Sequence, residues 1–263
     1  DWRWHVGCET NRGDGLRMAE AVGATIGGED SGLFLLTPNF YRDLEVIGPD
    51  WVLMVNSRGQ RVVREDAAYW ELSEAIEAED DARGFCLFTR SLMQQAEPDP
   101  RVLEALADGT ITLSWVPRVL EEQIEKGAII ESDTIEGLAA KLGMEPSTLR
   151  ETVDEYDAMA VAGEDTGFGK APASLKPLGE GPYFAAEVRP AIAIVMGAGP
   201  EVDGSARVLS KGGGHVPGLF AAGEVTGNVY GRYYVGSGYA IASALTLGRV
   251  AGREAAASAR STG

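Results

Sequence analysis

The stretch GLFAAGEVTGNVYGRYYVGSGYAIASALTLGRVAG, residues 218–252, decides the fold. It reads as a buried apolar strand at GLFAAG ending at Gly223, then a glycine-rich loop, then a helix of alanines and glycines running to about Ala259. Glu224 follows the strand at once, where an acidic side chain can accept hydrogen bonds from sugar-like hydroxyls. On spacing alone the simpler reading of Glu224 is a solvated turn carboxylate. Gly236, Ser237 and Gly238 bare the backbone ahead of Tyr239 and Ala240. A helix starting there presents unpaired N–H groups and the positive end of its dipole, which suits an anionic or electron-rich ligand edge. It is a weak phosphate loop: the third glycine of GxGxxG is absent, and no apolar strand immediately precedes Gly236.

Working outward, the bulk composition sets limits. The chain has 263 residues, 44% of them hydrophobic and 24% charged, which suits one large domain or two modest ones. Forty acidic against 23 basic residues give a net charge of −17, a surface that repels phosphate backbones, so no nucleic-acid partner is expected. Two cysteines, Cys8 and Cys86, and two histidines, His5 and His215, argue against a disulfide framework and a zinc site. No metal is expected, and a reducing, cytoplasmic compartment fits. No apolar run reaches membrane-spanning length and no signal peptide is read.

Along the chain, Asp14 stands at the N-cap position of a helix carrying Leu16, Ala19 and Val22. WVLMVNSRGQRVVRE, residues 51–65, reads as a hairpin turning at Asn56 to Gly59. Tyr69, Leu72 and Ile76 share one face of an amphipathic helix, and GFCLFT, residues 84–89, is a buried strand. Asp133 and Glu136 have capping-box spacing for a helix that stops at Gly143. A second helix opens at Pro146 and carries Leu149, Val153, Tyr156 and Met159 along one stripe. Residues 163–182 form a long glycine- and proline-rich connection, a natural domain boundary.

Taken together, these segments resemble the fumarate reductase/succinate dehydrogenase flavoprotein superfamily. GLFAAGEVTGNVYG…GSGYAIASALTLGRVAGREAA is similar to its C-terminal flavin segment, RGDGLRMAEAVGA to its TGDG turn and helix, and LMVNSRGQRVVRE to its capping-domain hairpin. The resemblance implies an α/β FAD-binding domain, partial and Rossmann-like, with an inserted α+β capping domain. The divisions fall at residues 1–32, 33–188 and 189–263. It implies FAD as cofactor, with contacts at Asp14, Glu224, Gly236, Ser237, Tyr239 and Ala240. The family's N-terminal GxGxxG unit has no counterpart here, so the chain resembles the C-terminal half of such an enzyme.

Two tyrosines select the branch. Fumarate reductases carry an arginine four residues after the hairpin glutamate, here Glu65, and that position is Tyr69; a second arginine position is Tyr234. A substrate-binding histidine of that branch falls at Ala193. Tyrosines at these two places resemble the 3-ketosteroid Δ1-dehydrogenases. That resemblance implies Tyr69 as the base removing a ring proton, and Tyr234 with the Gly238 N–H polarising the ketone. The implied partner is a small apolar ketone, with the electron acceptor left open. Departures from that branch are Arg64 for asparagine and Ala68 for proline, and Tyr230 and Tyr233 crowd the same loop. Half-buried packing is the commoner fate of a tyrosine. Two alternatives stay open: a fumarate reductase-like enzyme acting on another small enoate, and a non-catalytic partner chain without flavin.

Overall fold

The apolar run GFCLFT forms a strand buried along its whole length, and the larger part of the molecule is built around it. The computed structural model describes residues 3–40, 48–95, 100–109, 113–231, 234, 236 and 238–261. In chain order the first elements are β1 (Trp4–His5), α1 (Asp14–Ala21), β2 (Ile26–Gly27), β3 (Gly32–Pro38), β4 (Leu53–Asn56), α2 (Tyr69–Glu77), β5 (Gly84–Thr89), α3 (Arg90–Gln95) and α4 (Pro100–Ala107). There follow α5 (Pro117–Glu125), β6 (Ile130–Ser132), α6 (Ile135–Leu142), α7 (Pro146–Ala162), β7 (Tyr183–Met196), β8 (Gly199–Pro200), β9 (Arg207–Leu209), β10 (His215–Phe220) and α8 (Tyr239–Ser261). The chain separates into two compact units, one spanning Leu35–Ile192 and the other combining Arg3–Phe34 with Ala193–Gly263.

In the first unit β5 lies between β4 and β7 and runs antiparallel to both, with Cys86 opposite Met54 and Ala186. Side chains alternate across the strands. Leu53, Val55, Phe85, Leu87 and Ala185 pack with Leu138 of α6 and with Leu149, Val153 and Tyr156 of α7. Val52, Met54, Cys86, Phe88 and Phe184 pack with Leu72 and Ile76 of α2 and Leu120 of α5. Helices cover both faces, so every position of GFCLFT is apolar or small. The unit is thus an α+β arrangement, an antiparallel sheet with helices on both faces.

Local signals explain most of the helix ends. Gly143 takes φ 75° to end α6, and Pro146 occupies the first turn of α7. The cap of α6 differs from expectation: Thr134, not Asp133, accepts the hydrogen bond from the Gly137 amide at 3.0 Å. Thr134 holds the extended backbone that an N-cap requires, and Glu136 is drawn instead to Arg150 at 2.8 Å. The 51–65 hairpin turns at Asn56 to Gly59, where Gly59 has φ 80° and its N–H meets the Asn56 carbonyl at 3.0 Å. Its return strand shrinks to one bridge, Val55 with Arg61, because the Glu65 carboxylate takes the Met54 N–H at 2.9 Å. The 163–182 connection lies inside the first unit rather than between units.

In the second unit β2 pairs with β8 and β9 with β10, both antiparallel, around a small core of Ala19, Ala24 and Val208. GLFAAG is not a buried strand. β10 ends at Phe220, pairs among the described residues with β9, and leaves Leu219 and Phe220 half-buried. Gly223 opens a short 3-10 turn, Gly223–Val225, instead of closing a strand. Asp14 is not the N-cap of α1: Gly13, at φ 72°, holds that position, and Asp14 pairs with Arg17. Among the described residues no helix is long and apolar enough to cross a membrane, and no three His, Cys, Asp or Glu side chains converge on a metal position.

Candidate active site

Each unit carries one of the two tyrosines. Tyr69 is the first residue of α2, and the preceding Ala68 holds φ −60° and ψ 145°. Proline is fixed near the same φ, so alanine at position 68 leaves the entry into the helix in a proline-like geometry. Tyr69 lines a cleft of about 620 Å³ together with Trp51, Leu72 and Trp115. Among the described residues, the charged ones on its wall are Asp50, Glu65 and Asp66, with no arginine, lysine or histidine. Aromatic neighbours fix the two indoles: Trp51 meets Phe88 edge-on at 5.6 Å between centroids, and Trp115 meets Phe40 at 6.2 Å.

The three carboxylates are all engaged within the unit. Glu65 is buried and accepts from the Met54 amide at 2.9 Å, from Arg61 at 3.1 and 2.9 Å, and from Lys170 at 3.0 Å. Asp66 accepts from the Ala171 amide at 2.9 Å, and Asp50 from the Ser174 hydroxyl at 2.5 Å. Arg61 reaches Asp165 at 2.8 Å, so two cations and two anions share one buried cluster. Burial pushes the Lys170 ammonium pKa down against the pull of Glu65. Sequence reasoning found Glu65 but missed Arg61, Asp165 and Lys170. The only signal was an acid and a lysine bracketing Gly-Phe-Gly in a connection that otherwise reads as loop. Cys86 is buried, and burial followed by the Glu65 charge pushes its thiol pKa well up, which makes it a core residue and no nucleophile.

In the second unit, Glu224 is exposed in its 3-10 turn, as is Asp14 on α1. Behind Glu224 the backbone is packed without space. A Cβ at Gly227 would lie 2.0 Å from the Gly199 carbonyl oxygen, and one at Gly199 would lie 2.0 Å from that of Val225. Hydrogen bonds from Gly227 to Pro200 at 3.0 Å and from Asn228 to Gly197 at 3.1 Å lock these segments together. So the glycines of EVTG serve chain packing, whereas those of the later loop face open space. At Gly236 and Gly238 a Cβ would meet no atom within 4 Å, and Gly238 has φ 87°.

Tyr230, Tyr234 and Tyr239 form an aromatic cluster with centroids 5.2 to 6.2 Å apart. Tyr234 is buried, and its hydroxyl oxygen accepts from the Ala240 amide at 3.1 Å. The Tyr239 amide donates to the Gly236 carbonyl at 3.3 Å. The start of α8 therefore does not leave these two amides bare, as the sequence suggested; the loop folds back and satisfies both. Ser237 and Tyr233 lie outside the described residues. Burial raises the Tyr230 phenol pKa above its ordinary value. An open glycine backbone ahead of a long helix fits the ring end of a flavin, while the described residues offer nothing of the pyrophosphate loop.

Comparison with known proteins matches these features. The FAD binding domain family covers residues 2–241. The chain is 32% identical to a probable fumarate reductase, Ifc3, of Shewanella frigidimarina, over 94% of this chain and 38% of that protein. It is 30% identical to 4-oxocyclohexanecarboxylate 2-dehydrogenase of Sinomonas cyclohexanicum, over 95% of this chain and 46% of that protein. Among solved structures, 3-ketosteroid-Δ4-(5α)-dehydrogenase of Rhodococcus jostii RHA1, in complex with 4-androstene-3,17-dione, superposes with a TM-score of 0.71 at 25% identity, covering 95% of this chain and 46% of that one. The chain thus spans under half the length of each of these three. With the family's match running over residues 2–241, this protein belongs to the FAD binding domain family.

Proposed function

We propose that the chain forms the capping and C-terminal flavin parts of an FAD-dependent dehydrogenase that desaturates the carbon–carbon bond beside a ring ketone. The observation that carries this reading is Tyr69 on the wall of a cleft with two indoles, where the described residues supply no cationic side chain. A dicarboxylate placed there would lose its hydration without gaining an arginine fork. A neutral ring loses little and gains apolar contact with Trp51, Leu72 and Trp115.

FAD, when bound, supplies the hydride acceptor. Asp14, Glu224, Gly236 and Ser237 are the residues that would hold it, the Tyr239 and Ala240 amides being taken by Gly236 and Tyr234. Tyr69 is the base that takes the proton from the carbon next to the ketone. As that C–H bond breaks, negative charge moves to the ketone oxygen, and Tyr234 with the Gly238 N–H donates hydrogen bonds to it. The hydroxyl of Tyr234 accepts from Ala240 and so keeps its own hydrogen for the ketone.

A second reading, a reductase of a small enoate, is favoured by the 32% identity to a probable fumarate reductase and disfavoured by the lack of a cation among the described residues of the cleft. A third, a partner chain without flavin of its own, is favoured by α8, in which no residue of described burial is buried. Anaerobic mixing of the purified flavoprotein with a saturated 3-ketosteroid, and separately with succinate, tests the three. Bleaching of the flavin band by the steroid alone, lost in Tyr69→Phe, supports the dehydrogenase. Bleaching by succinate alone overturns it, and a colourless protein favours the partner chain.

A further inference from the structure

The segment from Arg64 to Ala68, which delivers Tyr69 to the cleft, contains no helix or strand. Its backbone makes one turn hydrogen bond, Ala67 to Arg64 at 3.2 Å. Glu65 anchors it to its own hairpin through Arg61 and the Met54 amide, and a second loop, which follows α7, holds it from outside. Asp165 folds that loop by accepting from the amides of Gly167 and Phe168 at 3.0 Å and of Lys170 at 2.9 Å. This aims Lys170 inward, where its ammonium finds three acceptors: Glu65 at 3.0 Å, the Tyr156 hydroxyl at 2.9 Å and the Val52 carbonyl at 3.0 Å. Three donors meet three acceptors, so the buried lysine is fully satisfied. The next residue, Ala171, donates to Asp66, and Ser174 donates to Asp50. Three successive contacts from residues 170–174 thus seize Asp50, Glu65 and Asp66, the three acidic residues that line the cleft beside Tyr69.

We infer that the 165–174 strap, through Lys170 and its contact with Glu65, is the device that positions Tyr69 and sets the shape of the cleft wall. The strap grips positions one and two residues into a stretch that has no ladder of its own, four residues ahead of the phenol. Lys170 and Glu65 are positioning residues and touch no reacting atom. The inference rests on the reading of Tyr69 as the base for its functional meaning, while its structural content is independent of that reading.

Amide hydrogen exchange on the full chain tests it with Lys170→Met, Lys170→Arg and the charge-neutral pair Lys170→Met/Glu65→Gln. The expected result is a rise of about tenfold or more in exchange at Ala67–Leu72 in Lys170→Met, with β5 and β7 unchanged and protection restored in Lys170→Arg. If Lys170→Met fails to fold, the paired variant carries the same expectation. A rise spread evenly over β4, β5 and β7 overturns the inference, because the cluster would then only hold the unit together. No rise at Ala67–Leu72 overturns it too. In the flavoprotein turning over a 3-ketosteroid, Lys170→Met lowers kcat with KM little changed, and Lys170→Arg rescues it. If Tyr69→Phe leaves turnover intact, the base assignment falls while the exchange pattern still decides the strap.

Discussion

The phenolic oxygen of Tyr234 lies 3.1 Å from the backbone nitrogen of Ala240 and accepts its hydrogen bond. The donor belongs to the first turn of α8, at the positive end of the helix dipole. An oxygen that accepts such a bond holds its own hydrogen more loosely and donates it more strongly. Tyr234→Phe removes that donor and leaves the Ala240 amide to water. Stopped-flow reduction of the bound flavin by a 3-ketosteroid is expected to slow by about 10²- to 10³-fold, the range for loss of one oxyanion donor. The thermal midpoint should move little, since one neutral hydrogen bond contributes about 1 kcal/mol. Unchanged reduction in the variant removes Tyr234 from the chemistry.

Asp165 gives the capping unit a pH dependence of known sign. Burial alone would raise its pKa, but the hydrogen bond from Arg61, those from the Lys170 and Phe168 amides, and the Arg61 charge outweigh burial and hold the carboxyl well below the ordinary 3.8. The unfolded chain therefore binds the proton more tightly than the folded one. Asp165 contributes its full stabilisation above pH 3.8, and the contribution is lost as the pH falls below that value toward the folded pKa. Urea midpoints measured downward through this range should fall, and Asp165→Asn should flatten part of that limb while lowering stability at neutral pH. An acid limb of equal slope in Asp165→Asn would refute the assignment.

How much of this was legible beforehand depends on how local the cause is. The stop at Gly143, the start at Pro146 and the stripe of Leu149, Val153, Tyr156 and Met159 follow from spacing within a few residues; the structure has both ends and buries the first three of the stripe, with Met159 half-buried. GFCLFT was legible because a strand covered on both faces needs no polar alternation. The Asp133 cap failed where two adjacent polar residues compete and only the backbone angle of Thr134 decides. GLFAAG failed because an apolar run looks buried whether or not anything covers it. Lys170 was invisible: a lysine in a glycine-rich connection defaults to solvent, and its burial depends on Glu65 arriving from a distant turn. The tyrosines could be singled out only through family resemblance, since nothing in their spacing separates a catalytic phenol from a packed one.

The backbone contacts behind Glu224 make a sharper test of the flavin segment. Gly227→Ala places a methyl 2.0 Å from the Gly199 carbonyl oxygen and 2.6 Å from that of Gly27, and neither backbone can yield cheaply. The substitution should cost about 1–3 kcal/mol, as overpacking generally does. It should also shift the Gly223–Val225 turn that carries Glu224, and so weaken flavin retention. Gly252→Ala on α8, where a Cβ meets nothing within 4 Å, is the control: it should raise stability by about 0.5–1 kcal/mol and leave flavin content unchanged. Thermal melting and flavin content after gel filtration read the two effects. A Gly227→Ala protein that melts and retains flavin like the parent would show that these segments can separate.

The exposed side of α8 leads to the last prediction. Ile241 is 67% and Leu245 71% exposed, and none of the helix residues whose burial is described is buried. One side of α8 packs on the Gly223–Val225 turn and β10; apolar side chains spaced one turn apart on its exposed side signal a surface that is covered in the working assembly. The occupant proposed here is a flavin-domain polypeptide that bears the glycine-rich pyrophosphate loop. The chain spans under half the length of these relatives. Leu245 is largely exposed, so Leu245→Glu should by itself change stability by no more than about 0.5 kcal/mol. The same substitution buries a charge once the partner docks, and co-elution with that polypeptide should be lost. If Leu245→Glu melts the chain by itself, α8 is packed on the chain's own residues in solution and the surface is not free. If co-elution survives the glutamate, the partner docks elsewhere.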